Sequence, residues 1–300
     1  MRLFRSLWLR LHCGLFVCLL AAAPAAIPGR AQSSAITLTP AQVVAGSPEL
    51  IRVEAPAATG MDGEWMGRKL EFFRGRDGHS WYALAGVDVE APVGPSVLKI
   101  EMRRTGGGGS DLTRRVEILP AHYLTGRLSV QPKFVSPGPD EMQEIEAESR
   151  LKAKIFSSSA AEPLWTGSFR APVNAQATDS FGTRRTFNGK LASVHKGMDY
   201  RAAMGTPVRA GNSGVVVLAR KLYYEGNCVV IDHGLGLFTL SMHFSRIDVK
   251  EGQHVAAGDQ LGLSGATGRV TGPHLHWAVR WQDTYLDPAK LLRLDLSELR

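Results

Sequence analysis

Cysteine is scarce in this sequence, with three in 300 residues, two of them (Cys13 and Cys18) close to the N-terminus. If that terminus is removed, Cys228 stands alone, so no intramolecular disulfide forms and the fold must rest on its core or on a metal. No apolar run approaches the ~20 residues that a membrane-spanning helix needs; the clearest extends only from Cys13 to Ala23. Blocks of lysine and arginine of the kind that bind nucleic acid are missing, so nucleic acid is not an expected partner. The glycine run Gly106–Gly109 lacks the Lys-Ser/Thr pair of a phosphate loop and reads as a hairpin tip. The helical His-Glu-x-x-His zinc signature is also missing. A hydrophobic content of 44% against 21% charged residues excludes wholesale disorder.

What is there begins with an export signal over residues 1–31. Arg2, Arg5 and Arg10 form a positive n-region, the Cys13–Ala23 run is the apolar h-region, and small residues offer cleavage after Ala25 or Ala31. A retained anchor is the alternative, and an uncleaved signal is the only membrane contact expected. Neither Cys13 nor Cys18 has the small-residue setting of a lipidation site. Losing Arg2, Arg5 and Arg10 lowers the net charge from +7 to +4, or to +3 if Arg30 goes too. That mild positive charge suits an anionic polymer such as cell wall. The expected location is therefore exported, in the periplasm or cell envelope.

Residues 35–119 predict a small β domain of the immunoglobulin-like sandwich kind. Ile36–Thr39, Leu50–Glu54, Trp81–Leu84, Val97–Glu101 and Val116–Leu119 are short apolar or alternating runs separated by turn-rich pieces. Residues 120–162 read as a linker with one helix. Pro137 and Pro139 precede the acidic start Asp140-Glu141, and Glu146–Arg150 and Glu148–Lys152 sit at i,i+4 with the acid first. The rest, 163–300, is again β-rich, with strands expected at Gly214–Ala219, Cys228–Asp232, Leu237–His243 and Leu275–Arg280. Only Pro288–Leu292 looks helical. The chain is expected to be mainly β.

Five of the nine histidines lie between His233 and His276. In His274-Leu275-His276, positions i and i+2 of a strand face the same side, so both imidazoles meet one space with Leu275 opposite. Either both bind a metal, or one binds while the other moves protons; a solvated face is the bland alternative. His195 and Asp199 would be roughly 13 Å apart on an extended strand, too far to share one ion, so the segment must bend if both ligate, and Gly197 supplies the freedom. His243 ends an apolar run where a core histidine is the simpler reading.

The order of these pieces resembles the lysostaphin-type (LytM-like) zinc endopeptidases. The sequence reads His195-x-Gly-x-Asp199, then Met242-His243-Phe244-Ser245, then Gly272-Pro273-His274-Leu275-His276-Trp277. Gly205-Thr206-Pro207-Val208, Ile231-Asp232-His233-Gly234 and Gly262 to Gly268 fall between them, and the likeness covers about 163–290. One departure is Leu240-Ser241-Met242, where many members carry a Tyr and then a small residue. The resemblance implies an antiparallel β barrel-like or sandwich domain with its site in a groove. One Zn2+ per chain would be held by His195, Asp199 and His276. His274 would be general base on the zinc water, and His243 would stabilise the oxyanion. The implied substrate is the stem or cross-bridge peptide of peptidoglycan. A non-catalytic or latent regulator of other wall hydrolases is the competing reading, as is a peptidase of glycine-rich proteins. A regulatory protein partner fits either, and no oligomeric state is specified.

Among the other polar residues, His233 reads as structural, and His79, His122 and His254 as surface or packing residues. Arg184, Arg185 and Lys196 read as solvated charges or contacts for a substrate carboxylate. Phe181, Phe187, Tyr223 and Tyr224 are groove or core aromatics, and Cys228 a buried thiol.

Overall fold

Alternation in sequence becomes alternation in burial. Along the strand Gly94–Arg104, Leu98, Ile100 and Met102 are buried while Lys99, Glu101 and Arg103 face out, which is the period-2 signature of a sheet with one covered face. The computed structural model describes residues 36–300 except Gly107, Gly108, Glu298 and Arg300. The expected signal segment, with Cys13 and Cys18, lies outside the described residues.

The N-terminal half is two sheets. One has strands Ile36–Thr39, Pro48–Glu54, Ser80–Gly86 and Phe73–Arg74 side by side. The other orders Val43–Val44, Gly109–Leu119, Gly94–Arg104, Ala58–Trp65 and Arg68–Glu71. Val53, Ala83, Leu70 and Leu98 from both sheets enter one apolar core. The hairpin Ala58–Trp65/Arg68–Glu71 was not foreseen. Its turn takes Met66 and Gly67 through positive φ, a conformation that composition signals poorly when the first turn residue is methionine rather than asparagine.

The C-terminal half is built on an antiparallel sheet. Its central order is Ala177–Asp179, Met198–Tyr200, Leu275–Trp281, Leu237–Ile247, Gly226–Asp232, Gly214–Leu222 and His254–Val255. Its middle strands are buried on both faces. Val229 and Ile231 join the main core, while Cys228, Val230, Phe238, Leu240 and Met242 form a second cluster on the other side. The helix Pro139–Phe156 covers that second face with Leu151, Ile155 and Phe156.

The stretch 120–162 therefore does more than link. Glu146 and Arg150 approach to 3.9 Å as expected, but Glu148 and Lys152 do not pair with each other. Glu148 accepts from the Tyr223 backbone N–H at 2.9 Å, and Lys152 reaches Glu225 at 2.5 Å. The same stretch adds a strand, Thr125–Leu128, parallel to Arg184–Phe187. The two halves of the chain meet through Phe73 edge-on to Trp165, Arg68 bonded to Asp283, and Thr284 donating to Asp88.

One buried carboxyl bears on stability. Glu49 is fully buried, one of its oxygens has no partner, and burial raises its pKa to about 8. The Ser47 hydroxyl lies 2.6 Å from both Val44 O and Glu49 Oε1. A hydroxyl has one proton and a carbonyl can only accept, so the proton between Ser47 and Glu49 belongs to the carboxyl. The folded chain thus keeps a proton that the unfolded chain releases near 4.5. Stability is full below that pH and falls as pH rises from 4.5 to 8. Glu49→Gln should leave the urea midpoint nearly unchanged at pH 5 and raise stability at pH 8 by on the order of 3 kcal/mol. An equal effect at both pH values contradicts a neutral Glu49.

Candidate metal and catalytic centre

Strand register assembles the centre. Asp199 lies directly opposite His276 on adjacent antiparallel strands, and His276 lies opposite Met242 on its other side, so Asp199 and His276 project to one face. Asp199 Oδ1 is 2.8 Å from His276 Nδ1. The chain bends at residues 195–197, between strands Leu191–Val194 and Met198–Tyr200. The bend brings His195 Nε2 to 3.1 Å from Asp199 Oδ1 and 3.0 Å from His276 Nδ1. All three side chains are buried or nearly so, and their ligand atoms lie within 4.8 Å of one another.

The need for a bend was legible, but glycine at 197 has a different cause from the one expected. Gly197 does not adopt a positive φ. A Cβ there would lie 2.4 Å from His276 Nε2 and 2.8 Å from Trp277 O, so glycine lets the ring pass close to the backbone. The strand carbonyl is fixed, so Gly197→Ala should push the His276 ring out of place. We expect zinc affinity, measured by competition with a chromophoric chelator, to fall roughly 10–100-fold, the range for disturbed support of a metal ligand. Unchanged affinity in a folded variant would remove His276 from the ligand set.

The tautomers fit a cation. His195 Nδ1 donates to Ser180 O at 2.9 Å, which leaves the Nε2 lone pair facing Asp199 Oδ1, itself only an acceptor. Two lone pairs at that distance repel unless His195 is protonated or a cation lies among the three groups. Two imidazoles and a carboxylate are a donor set that zinc accepts. Burial would raise the Asp199 pKa, but hydrogen bonds and charge from His195 and His276 outweigh it and hold the carboxyl well below the usual carboxylate range. Its second oxygen bonds Arg185 Nη2 at 2.6 Å, and Arg185 also grips Asp179. Arg185 was read as a flanking charge; the structure makes it the clamp that fixes Asp199.

His274 and His243 stand beside this cluster. His274 Nε2 is 3.8 Å from Asp199 Oδ1, and the His243 ring is 4.9 Å from that of His274 and 6.1 Å from that of His276. His274 Nδ1 donates to Gly272 O and His243 Nδ1 donates to Thr267 O, both at 2.8 Å. With Nδ1 committed in both rings, the Nε2 atoms are the ones left to meet a proton or a substrate. His243 sits at φ 66 where the strand pairing shifts register. That left-handed residue at a bulge re-aims its side chain, as strained positions at functional sites do. Burial first, then the neighbouring His274 and His276, lower the His243 pKa to about 3.

The five residues line a groove of about 670 Å³, together with Leu128, Val130, Phe187, Tyr224, Glu225 and Arg269. Leu128 and Val130 come from the stretch expected to be a linker. Lys196 is exposed over the Tyr285 ring, Phe181 packs on Tyr123, and Tyr223 donates to Lys133 O. His233 is buried with both ring nitrogens bonded, to Ser213 O and to Thr239 Oγ1, in keeping with a structural role. His79, His122 and His254 are exposed. Cys228 is buried, and burial pushes its thiol pKa up.

Residues 193–288 match the family model described as peptidase family M23. The chain is 46% identical over 180 residues to the peptidoglycan DD-endopeptidase ShyA of Vibrio cholerae serotype O1, a match covering 56% of this chain and 41% of that protein. It is 41% identical over 98 residues to the DD-carboxypeptidase/endopeptidase Mpg of Neisseria meningitidis serogroup B, or 33% of this chain and 23% of that protein. The match therefore spans less than half the length of either relative. A crystal structure of a candidate M23 peptidase from Pseudomonas aeruginosa superposes with a TM-score of 0.63 at 26% identity. That superposition covers 84% of this chain and 95% of the other, so the likeness takes in the N-terminal sheets as well.

Proposed function

We propose that this chain, whose residues 193–288 match the model of peptidase family M23, is a zinc-dependent endopeptidase of the stem or cross-link peptides of peptidoglycan. The observation that carries the reading is the convergence of His195, Asp199 and His276 on one point, with the Nε2 atoms of His243 and His274 free beside it. His195 Nε2, Asp199 Oδ1 and His276 Nδ1 would hold the metal. Zinc supplies Lewis-acid polarisation of a carbonyl and lowers the pKa of water to ~7.

The protein's own groups do the rest. Arg185 and the Ser180 carbonyl fix Asp199 and His195, so the ligand atoms are held before any metal arrives. His274 takes the proton of the attacking water at Nε2 and returns it to the leaving amine. Its side chain is 19% exposed against 2% for His195, as a group that meets substrate must be. His243 lies where negative charge develops on the scissile oxygen. It serves there as a donor only when protonated, because its Nδ1–H is committed to Thr267 O.

The proposed setting is the periplasm or cell envelope, supported by the signal-like N-terminus and by the substrate that the ShyA relative's name states. In the same reading, residues 35–119 form an accessory β domain and 163–300 the peptidase domain. The test is release of soluble peptides from purified peptidoglycan by the purified chain. Release should stop with a chelator and return with zinc. Zinc-loaded protein that leaves peptidoglycan intact contradicts the proposal.

A further inference from the structure

Four cations line the groove, Arg185, Lys196, Arg201 and Arg269, and Arg269 alone of these stands over two aromatic rings among the described residues. Its guanidinium carbon lies over both the Phe187 and the Tyr224 ring, 4.6 Å from each centre. Among the described residues no ion pair or side-chain hydrogen bond to this guanidinium is found. The charge of Glu225 acts on it, and one oxygen of Glu225 is bonded to Lys152 at 2.5 Å. Of the other guanidinium groups of the groove, Arg185 is paired with Asp179 and Asp199, and Arg201 is exposed. A half-buried guanidinium without an ion pair beside a reaction centre has N–H donors open to a ligand.

The loop that carries Arg269 also aims the two free histidines. Thr267 O accepts from His243 and Gly272 O accepts from His274, so Arg269 lies between the two carbonyls that orient the proposed proton carriers. The loop has little freedom. Arg269 N–H donates to Tyr224 O at 2.9 Å, and a Cβ on Gly268 would lie 2.3 Å from Gly226 N. Backbone is thus pressed on backbone at the base of the arginine, and its tip lies against two aromatic rings. Stacking fixes the plane of the fork and leaves its edge free for a planar, bidentate partner.

We propose that Arg269 binds a free carboxylate of the peptide in the groove and makes the enzyme prefer substrates that carry one near the scissile amide. This rests on the peptidase reading, and it turns a general peptide groove into one that reads charge. Phe187 and Tyr224 act as positioning residues, since they touch the guanidinium and hold its plane.

The test compares two synthetic cross-linked peptides of the peptidoglycan type, one with free α-carboxylates and one with them converted to primary amides. Zinc-loaded wild type, Arg269→Gln and Arg269→Lys are assayed for kcat and KM. A charge-assisted bidentate contact corresponds to roughly 10–100-fold in kcat/KM. Wild type should prefer the free acid by about that factor, mainly through KM. Arg269→Gln should lose the preference by falling on the acid alone, and Arg269→Lys should recover only part of it. Calorimetric binding of both peptides to the zinc-loaded His274→Ala protein, with and without Arg269→Gln, reads the contact without turnover. If neither peptide is cleaved but acid-selective binding vanishes with Arg269→Gln, the subsite stands and the peptidase reading fails. Equal losses on both peptides, or no preference in wild type by either measure, overturn the subsite.

Discussion

Replacing His276 by alanine should strip the chain of zinc and end peptide hydrolysis. Wild type is expected to hold about one zinc per chain by elemental analysis, and His276→Ala close to none. The ring supplies one of three ligand atoms, and the two that remain, His195 Nε2 and Asp199 Oδ1, are 3.1 Å apart. Asp199 does not fall idle in the variant, because Arg185 still holds its other oxygen at 2.6 Å. The residual pair is thus a carboxylate already neutralised by an arginine and one imidazole, a poor site for a divalent ion. Lewis-acid polarisation is worth several kcal/mol at the transition state. At 1.36 kcal/mol per decade this corresponds to a fall of roughly 10³–10⁵ in kcat/KM. His254→Ala is the control, since His254 is exposed on the edge strand His254–Val255 away from the cluster. Full zinc content in His276→Ala would break the ligand assignment, whatever the activity.

That these side chains could share one space was legible from short periods, whereas the choice of His195, Asp199 and His276 as the proposed ligands came from the family resemblance. His274 and His276 share a face by strand alternation, and the separation of His195 from Asp199 demanded a bend, which the chain makes at Gly197. The central strands were legible for a similar reason: Cys228–Asp232 and Leu237–His243 are runs of apolar residues, as burial on both faces requires. What was not legible depends on contacts between distant parts of the chain. Arg185 meets Asp179 and Asp199 only because separate strands converge, and in sequence it is one of many charges. Leu128 reaches the groove because Thr125–Leu128 pairs with Arg184–Phe187 across some sixty residues, and nothing local in that tetrapeptide announces a strand. The helix Pro139–Phe156 looks solvated by composition, and none of its residues is fully buried. Its docking shows only once the second face of the sheet needs a cover. The positive φ of His243 is equally silent, since no glycine or asparagine marks it.

That conformation matters for the second large effect. His274→Ala and His243→Ala should each keep about one zinc per chain and still lose roughly 10²–10⁴ in kcat, the range for removing a positioned proton carrier. Neither ring belongs to the three-atom cluster, so metal content separates these variants from His276→Ala. The two rings are 4.9 Å apart, and each has its Nδ1–H committed to a carbonyl of the same loop. His243 therefore starts as an acceptor at Nε2 and becomes a donor to the scissile oxygen only by gaining a proton. Burial opposes that in the resting protein, where its pKa is lowered to about 3. Negative charge growing on the adjacent oxygen is what would hold a proton there. The roles of base and oxyanion partner are thus linked through protonation of neighbouring rings, and linked residues are not additive. We expect the double variant His243→Ala/His274→Ala to be no more than about tenfold slower than the worse single variant. Losses that multiply instead would mean two independent groups, with His243 acting through its position alone. Loss of zinc from His274→Ala would move that ring into the ligand set and leave His243 as the only proton carrier.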